Sequence, residues 1–308
     1  MEQRTLGLNG PKVSEICFGA WPIGGGLGSV DKKIAINTIH SAISDGITFF
    51  DTAEGYQTSE RILGEALKGK RQSTIIGSKF SGDDHSESHI FSAIDQSLNA
   101  LKTDYIDLYQ IHTPQEQWPI EDTMASLNKL IDKGKIRYLG VSNFSSAQTT
   151  KARSFGLIQS SQPKYNLLFH EEEDSNIKYC LENKIGVMAH SVLAKGLLTG
   201  KYRPGHRFND DDERRLFNFF KGDLFVSVIS VLDKLSDWSN SRGRTLTELA
   251  VAWVLARPGI STALVGLKTP AQVKEIVSAT SWYLTKEEME EISSITRQLQ
   301  IRWVKDTV

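Results

Sequence analysis

Eight short runs, most of them apolar and each followed by a helical or loop segment, pass along the 308 residues in regular order. The runs at 16–18, 48–51, 74–79, 106–112, 137–141, 186–189 and 262–266 are mostly apolar, several of them rich in Val, Ile and Phe, and read as strands, and 159–162 takes the sixth strand's place in the same alternation. The segments at 31–44, 60–67, 86–101, 120–133, 145–153 and 171–183 return an apolar residue every three or four positions, the period of an amphipathic helix. After the seventh strand, residues 195–223 mix Gly, Pro and the charged run DDDERR and read as a long functional loop. A helix-rich remainder returns to the eighth strand, then a helix from Pro270 and a C-terminal helix from Thr285. Strands that alternate with helices favour a parallel sheet. Eight such units, with no stretch able to build a second core, predict a closed (β/α)8 TIM barrel forming a single domain over residues 1–308. Ahead of it, residues 1–14 read as a hairpin about Asn9-Gly10, a dipeptide that accepts positive φ, and this hairpin is expected to plug the barrel bottom.

An open dinucleotide-binding sheet is the competing fold. It requires a GxGxxG turn after the first strand and an acidic strand end about twenty residues on, and GAWPIGGGLG does not have that spacing. With 39% apolar and 24% charged residues the composition excludes disorder as the main state. A net charge of −1 provides no field to gather nucleic acid or an anionic bilayer, so a small neutral molecule is the expected partner. No apolar run approaches the roughly 18 residues of a membrane span, and MEQRTLGLNG lacks a basic-then-apolar leader, so a cytoplasmic location is expected. Cys17 and Cys180 form no CxxC and read as buried, inert thiols, and no metal site is indicated.

In such a barrel, chemistry sits at the carboxyl ends of the strands. Asp51 ends the second strand, Tyr56 lies in the loop beyond it, Lys79 ends the third and His112 the fourth. Together they suit a proton donor: a phenol holds its proton up to a pKa near 10, a neighbouring ammonium favours the phenolate, and a carboxylate keeps the lysine charged. Tyr56 is then the acid, Lys79 its tuner, Asp51 the anchor and His112 the group that orients the same oxygen.

These residues and their surroundings resemble the aldo-keto reductase superfamily over nearly the whole chain. GITFFDTAEGYQTSERILGEALKG, GSKF, YIDLYQIHTP, IRYLGVSNFS, SQPKYNLL, SVLAKGLLTGKY and VGLKTPAQVKE match its landmarks in order. The long loop after the seventh strand looks closer to the bacterial and potassium-channel β-subunit branches than to aldose reductase. The resemblance implies an NADPH-dependent carbonyl reductase with Asp51, Tyr56, Lys79 and His112 as the catalytic tetrad. It places Gly19, Ala20 and Trp21 against the nicotinamide ribose, Ser142, Asn143 and Gln162 on the carboxamide, and His190 and Ser191 beside the ring. Leu193, Gly196, Leu198, Gly200 and Lys201 would wrap the pyrophosphate, and Gly266, Lys268, Thr269, Gln272 and Glu275 the adenosine end. Lys268 and Gln272 would hold a 2′-phosphate, which is the reason to expect NADPH.

Two positions depart from the family pattern. His190 stands where a stacking tyrosine is usual, a smaller ring that also stacks and can ionise near neutral pH, and Ile276 replaces an asparagine that contacts adenine. His85 and His89 read as a solvated helix start behind a Ser86 cap, and Arg214 is a candidate to close over the cofactor. Trp21, Phe80, Trp118 and Phe144 could line an apolar substrate slot, and the tail 298–308 is expected to shape specificity. Two other functions compete: a nicotinamide-binding regulatory subunit with slow chemistry, and a metal-dependent hydrolase. The hydrolase would want His-x-His at the end of the first strand, where Phe18 and Ala20 stand.

Overall fold

The computed structural model describes residues 1–210, 212–297, 299 and 301–305. β1 (Gln3–Thr5) and β2 (Lys12–Ser14) pair antiparallel, Gln3 opposite Ser14, which makes the expected hairpin. Its turn is wider than an Asn-Gly corner. Leu6 N–H donates to the Pro11 carbonyl at 3.0 Å, and positive φ falls at Gly7 (70°) and Asn9 (56°) rather than at Gly10. Gly10 serves close approach instead: a Cβ there would lie 1.8 Å from the Leu6 carbonyl oxygen and 2.6 Å from Gln159 Nε2. That amide donates to the carbonyls of Leu6 (2.7 Å) and Leu8 (3.0 Å), so the hairpin lies across the amino ends of the barrel strands.

Eight parallel strands close the barrel: β3 (Ile16–Gly19), β4 (Phe49–Asp51), β5 (Ile75–Phe80), β6 (Ile106–Ile111), β7 (Ile136–Ser142), β8 (Ile158–Gln162), β9 (Gly186–Ala189) and β10 (Ile260–Gly266). β10 pairs with β3, Gly266 opposite Gly19. The predicted (β/α)8 architecture is therefore the one observed. Leu6 and Val13 of the hairpin meet Cys17, Phe49, Leu108 and Met188 inside the ring, and a larger apolar layer fills the space between strands and helices. Both cysteines are buried.

The helices are α1 (Lys32–Ser44), α2 (Ser59–Ala66), α3 (Glu87–Leu101), α4 (Ile120–Asp132), α5 (Ser146–Arg153), α6 (Lys178–Glu182), α7 (Gly222–Asn240), α8 (Leu246–Leu255), α9 (Pro270–Ser278) and α10 (Lys286–Thr296). Asp31, Ser86, Ser145, Thr245, Thr269 and Thr285 accept backbone N–H groups at the starts of α1, α3, α5, α8, α9 and α10, which is why those helices begin where they do. The helix expected over 171–183 is a π-helical turn, Glu173–Ile177, followed by the equally short α6. The 195–223 loop is not structureless: it contains the 3-10 turns Ala194–Thr199, Glu213–Leu216 and Asn218–Phe220. Asp211 of its charged run, and Gln298, Gln300 and residues 306–308 of the C-terminal tail, lie outside the described residues. Among the described residues no helix is long and apolar enough to cross a membrane.

Candidate active site

Register brings the polar strand ends together. Gly19 pairs with Asp51, Asp51 with Gly77, and Lys79 with Gln110. Gly77 leaves Asp51 its room, since a Cβ there would stand 3.1 Å from Asp51 Oδ2. Lys79, fully enclosed, donates to Asp51 Oδ1 and, at 2.8 Å, to the Thr52 carbonyl. The other carboxylate oxygen, Oδ2, accepts from Gln110 Nε2 (3.0 Å) and Gln162 Nε2 (3.1 Å). A carboxylate buried this deeply requires such partners. Gln110 was not anticipated; the signal was there, an amide one residue from the carboxyl end of a buried strand.

Tyr56 sits above this pair in a turn held by its N–H on the Ala53 carbonyl at 3.0 Å. Its Oη lies 3.5 Å from His112 Nε2, and Trp21 meets its ring edge-on at 4.8 Å between centroids. Burial raises the Tyr56 pKa above the ordinary phenol value; the Lys79 cation opposes this without overcoming it. The expectation that Lys79 sets the phenol's pKa is thus reversed in balance: desolvation of the phenolate is the larger effect. Burial also works against the Lys79 charge, but Asp51 and then Tyr56 outweigh it and hold the ammonium's pKa above its usual value. His112 is pushed down to about 3 by burial and by the Lys79 cation, so its imidazole is neutral. Its Nδ1 lies 2.7 Å from Ser81 Oγ.

A cavity of about 790 Å³ opens above Tyr56 and His112 at the carboxyl ends of the strands. Ser142, Asn143 and Gln162 line its inner end, Gly19, Trp21, His190, Ser191 and Leu193 its walls. Gly196, Lys201, Gly266, Lys268, Gln272 and Glu275 line it as well. Other expected contacts fall elsewhere. Ala20 is buried with its N–H on the Asp51 carbonyl (2.9 Å), and Leu198 is in the core. Gly200 ends a 3-10 turn at φ 67°, and Thr269 caps α9 through the Gln272 N–H. Of the slot aromatics, Trp21 lines the cavity, Phe80 and Phe144 are buried, and Trp118 donates to the Asp83 carbonyl at 2.7 Å.

His190 is fixed at both ring nitrogens, Nδ1 2.9 Å from Ser191 Oγ and Nε2 3.1 Å from Asn143 Oδ1. Burial, helped by the cations of Lys195 and Lys79, pushes its pKa down to about 3, which overturns the reading that it can ionise near neutrality. Asn143 adopts φ 59°, a conformation asparagine accepts more readily than most residues, and donates to the His112 carbonyl at 3.0 Å. Ile276 presents an apolar side chain to the cavity. Arg214 also lines it, ion-paired with Asp212 and hydrogen-bonded to the Tyr202 hydroxyl. Burial and the Arg214 charge lower the pKa values of Lys201 and Lys268, the mark of cations crowded in one place. His85 is buried with its ring 4.9 Å from Phe80, not solvated as expected. Among the described residues no group of three potential metal ligands occurs.

The aldo/keto reductase family model matches residues 15–297. Aldo-keto reductase YhdN of Bacillus subtilis (strain 168) is 37% identical, over 96% of this chain and 93% of its own. A probable voltage-gated potassium channel subunit beta of Arabidopsis thaliana is 33% identical over 91% of each chain. An NADH-specific methylglyoxal reductase of Escherichia coli (strain K12) is also 33% identical, over 91% of this chain and 93% of its own. Among solved structures, the glycerol dehydrogenase AKR11B4 from Gluconobacter oxydans superposes with a TM-score of 0.89 at 30% identity, covering 99% of this chain and 98% of that one.

Proposed function

Because the chain belongs to the aldo/keto reductase family, we propose that it reduces an aldehyde or ketone to the alcohol, reversibly, with NADPH as cofactor and Tyr56 as proton donor. The observation that carries this reading is the meeting of Tyr56 Oη and His112 Nε2, 3.5 Å apart below the cavity, over the enclosed Lys79–Asp51 pair.

The cavity suits the cofactor along its length. A primary carboxamide needs donors and acceptors, and Ser142, Asn143 and Gln162 provide both. Gln162 turns its Nε2 toward Asp51 and Gln110, leaving Oε1 to accept from an amide N–H. Lys201, Arg214 and Lys268 offer an anion three cations, which suits phosphate groups and supports NADPH. The name of the Escherichia coli relative, NADH-specific, gives the other cofactor for that protein. These cations are therefore the reason for preferring NADPH here.

When bound, the nicotinamide supplies the hydride. The chain's own residues do the rest. Tyr56, kept protonated by its raised pKa, gives its proton to the carbonyl oxygen, and the phenolate left behind faces the Lys79 charge. Asp51 holds that charge in place through the reaction, and the neutral His112 hydrogen-bonds the same oxygen without competing as an acid.

Purified protein should oxidise NADPH in the presence of members of a panel of aldehydes, ketones and sugars, with a turnover that Tyr56→Phe removes. Rapid steady-state turnover also decides against a regulatory role of the kind named for the Arabidopsis relative. No turnover with any member would defeat the reductase reading.

A further inference from the structure

A neutral histidine carries one ring proton, and which nitrogen bears it decides what the other can do. At His112, Nδ1 is 2.7 Å from Ser81 Oγ and Nε2 is 3.5 Å from Tyr56 Oη. If Nδ1 held the proton, Nε2 would offer a lone pair to the Tyr56 hydroxyl and compete with a substrate oxygen for its proton. If Nε2 holds it, two donors face one acceptor. A hydroxyl at Nδ1 can donate to it, and a donor there leaves the ring proton on Nε2.

Ser81 is fastened for such a task. It follows directly on β5, two residues after Lys79. Its backbone N–H donates to Glu54 Oε2 at 2.9 Å, and its carbonyl oxygen is 3.1 Å from His89 Nε2. Glu54 is tied in turn, its own N–H donating to the Lys79 carbonyl at 2.9 Å. Gly55 packs beside the hydroxyl, and a Cβ there would come 3.3 Å from Ser81 Oγ. With N–H, carbonyl and neighbouring loop all fixed, the serine oxygen has a set position at the edge of the cavity.

We propose that Ser81 is a positioning residue: its hydroxyl donates to His112 Nδ1 and so keeps the ring proton on Nε2, where it and the Tyr56 hydroxyl hold one carbonyl oxygen. Glu54 and His89 hold Ser81 in register for that bond. The inference deepens the reductase reading and rests on it for its kinetic consequence, but the tautomer itself is a property of the cofactor-free protein.

The test therefore has a spectroscopic arm and a kinetic one. In 15N-histidine-labelled protein, with the His112 signals assigned through His112→Asn, the long-range 1H–15N spectrum should show His112 as the single Nε2–H form. Ser81→Ala should lose that single form and Ser81→Thr keep it. With an aldehyde substrate, Ser81→Ala should lower kcat by about tenfold, the scale of one hydrogen bond in a buried site. The KM for NADPH should stay constant, and Ser81→Thr should recover most of the rate. Should alanine unsettle the loop, Ser81→Thr and Ser81→Val make the same comparison at constant shape. An Nδ1–H form in the unmodified protein, or an alanine variant with unchanged tautomer and kcat, overturns the proposal. Failure of the unmodified protein to reduce any carbonyl defeats the functional reading instead, and the spectrum still decides the tautomer.

Discussion

Lys79 Nζ lies 5.1 Å from the centre of the Tyr56 ring, with the Asp51 carboxylate paired to it from the barrel interior. The positive charge is in place before the phenol ionises, so little has to reorganise when the proton leaves. Preorganised charge in a site shielded from water is the strongest single means a protein has of stabilising an ionising group.

Removing the phenolic oxygen removes the proposed proton donor but little else. Tyr56→Phe should lower kcat for carbonyl reduction by about 10² to 10⁴, the range for loss of a general acid. The ring that packs against Trp21 is retained, so NADPH should bind as before by fluorescence titration. Turnover within a factor of about three of the unmodified enzyme would show that another group gives the proton.

The same assignment fixes a pH profile. Reduction needs the protonated phenol, and burial holds the Tyr56 pKa above its usual value, so the alkaline fall in kcat belongs above about pH 10. His112 titrates near 3 and adds no limb in the neutral range. A limb near pH 7 would pass the acid role to a histidine.

Acid should destabilise the fold before it protonates these rings. His112 and His190 have folded pKa values of about 3, against roughly 6.5 in an unfolded chain. As pH falls through that interval the unfolded chain takes up protons that the folded one refuses, so stability declines from about pH 6.5 downward. His190→Gln should flatten the fall in Tm between pH 6.5 and 4. An unchanged slope would mean that the ring takes up its proton in the folded protein as readily as in the unfolded chain.

Breaking the enclosed ion pair should be worse than deleting it. Asp51→Asn leaves a buried ammonium without its counter-charge, and Lys79→Met leaves the carboxylate; each should cost about 3–5 kcal/mol of stability. The double variant, with neither charge, should recover part of that loss in urea denaturation while remaining catalytically inert. Additive losses would mean that the two groups do not interact as the geometry indicates.

In the proposed reading, the preference for NADPH rests on the crowded cations. Lys268→Ala should raise the KM for NADPH about tenfold or more and leave that for NADH nearly constant, as expected on losing one charge-assisted contact to a phosphate. Equal effects on both would place Lys268 away from the 2′-position.

The barrel was legible because its signal is repeated: alternation of period survives an uncertain boundary at any single strand. The strand-end residues Asp51, Lys79 and His112 were legible for the same reason, since a polar group ending an apolar run stands out. Gln110 escaped because it is neutral and one residue short of the end, and Ser81 and Glu54 because their roles come from a fold of the loop that no periodicity encodes. His85 read as exposed beside a helix cap, yet its ring packs against Phe80; cap chemistry locates a helix start without saying what lies beneath it. Leu198 and Gly200 belong to a segment with left-handed residues at Lys195 and Gly196, where neither strand nor helix spacing predicts which side chain faces inward.

The barrel is shut by β3 against β10, so Gly19 and Gly266, both on the cavity wall, become neighbours only when the first and last strands of the barrel meet. A nascent chain still lacking residues 260–266 has seven of its eight staves and no finished vessel for reactants. Synthesis that stops there yields no weakened enzyme, only an open fragment with its apolar seam uncovered.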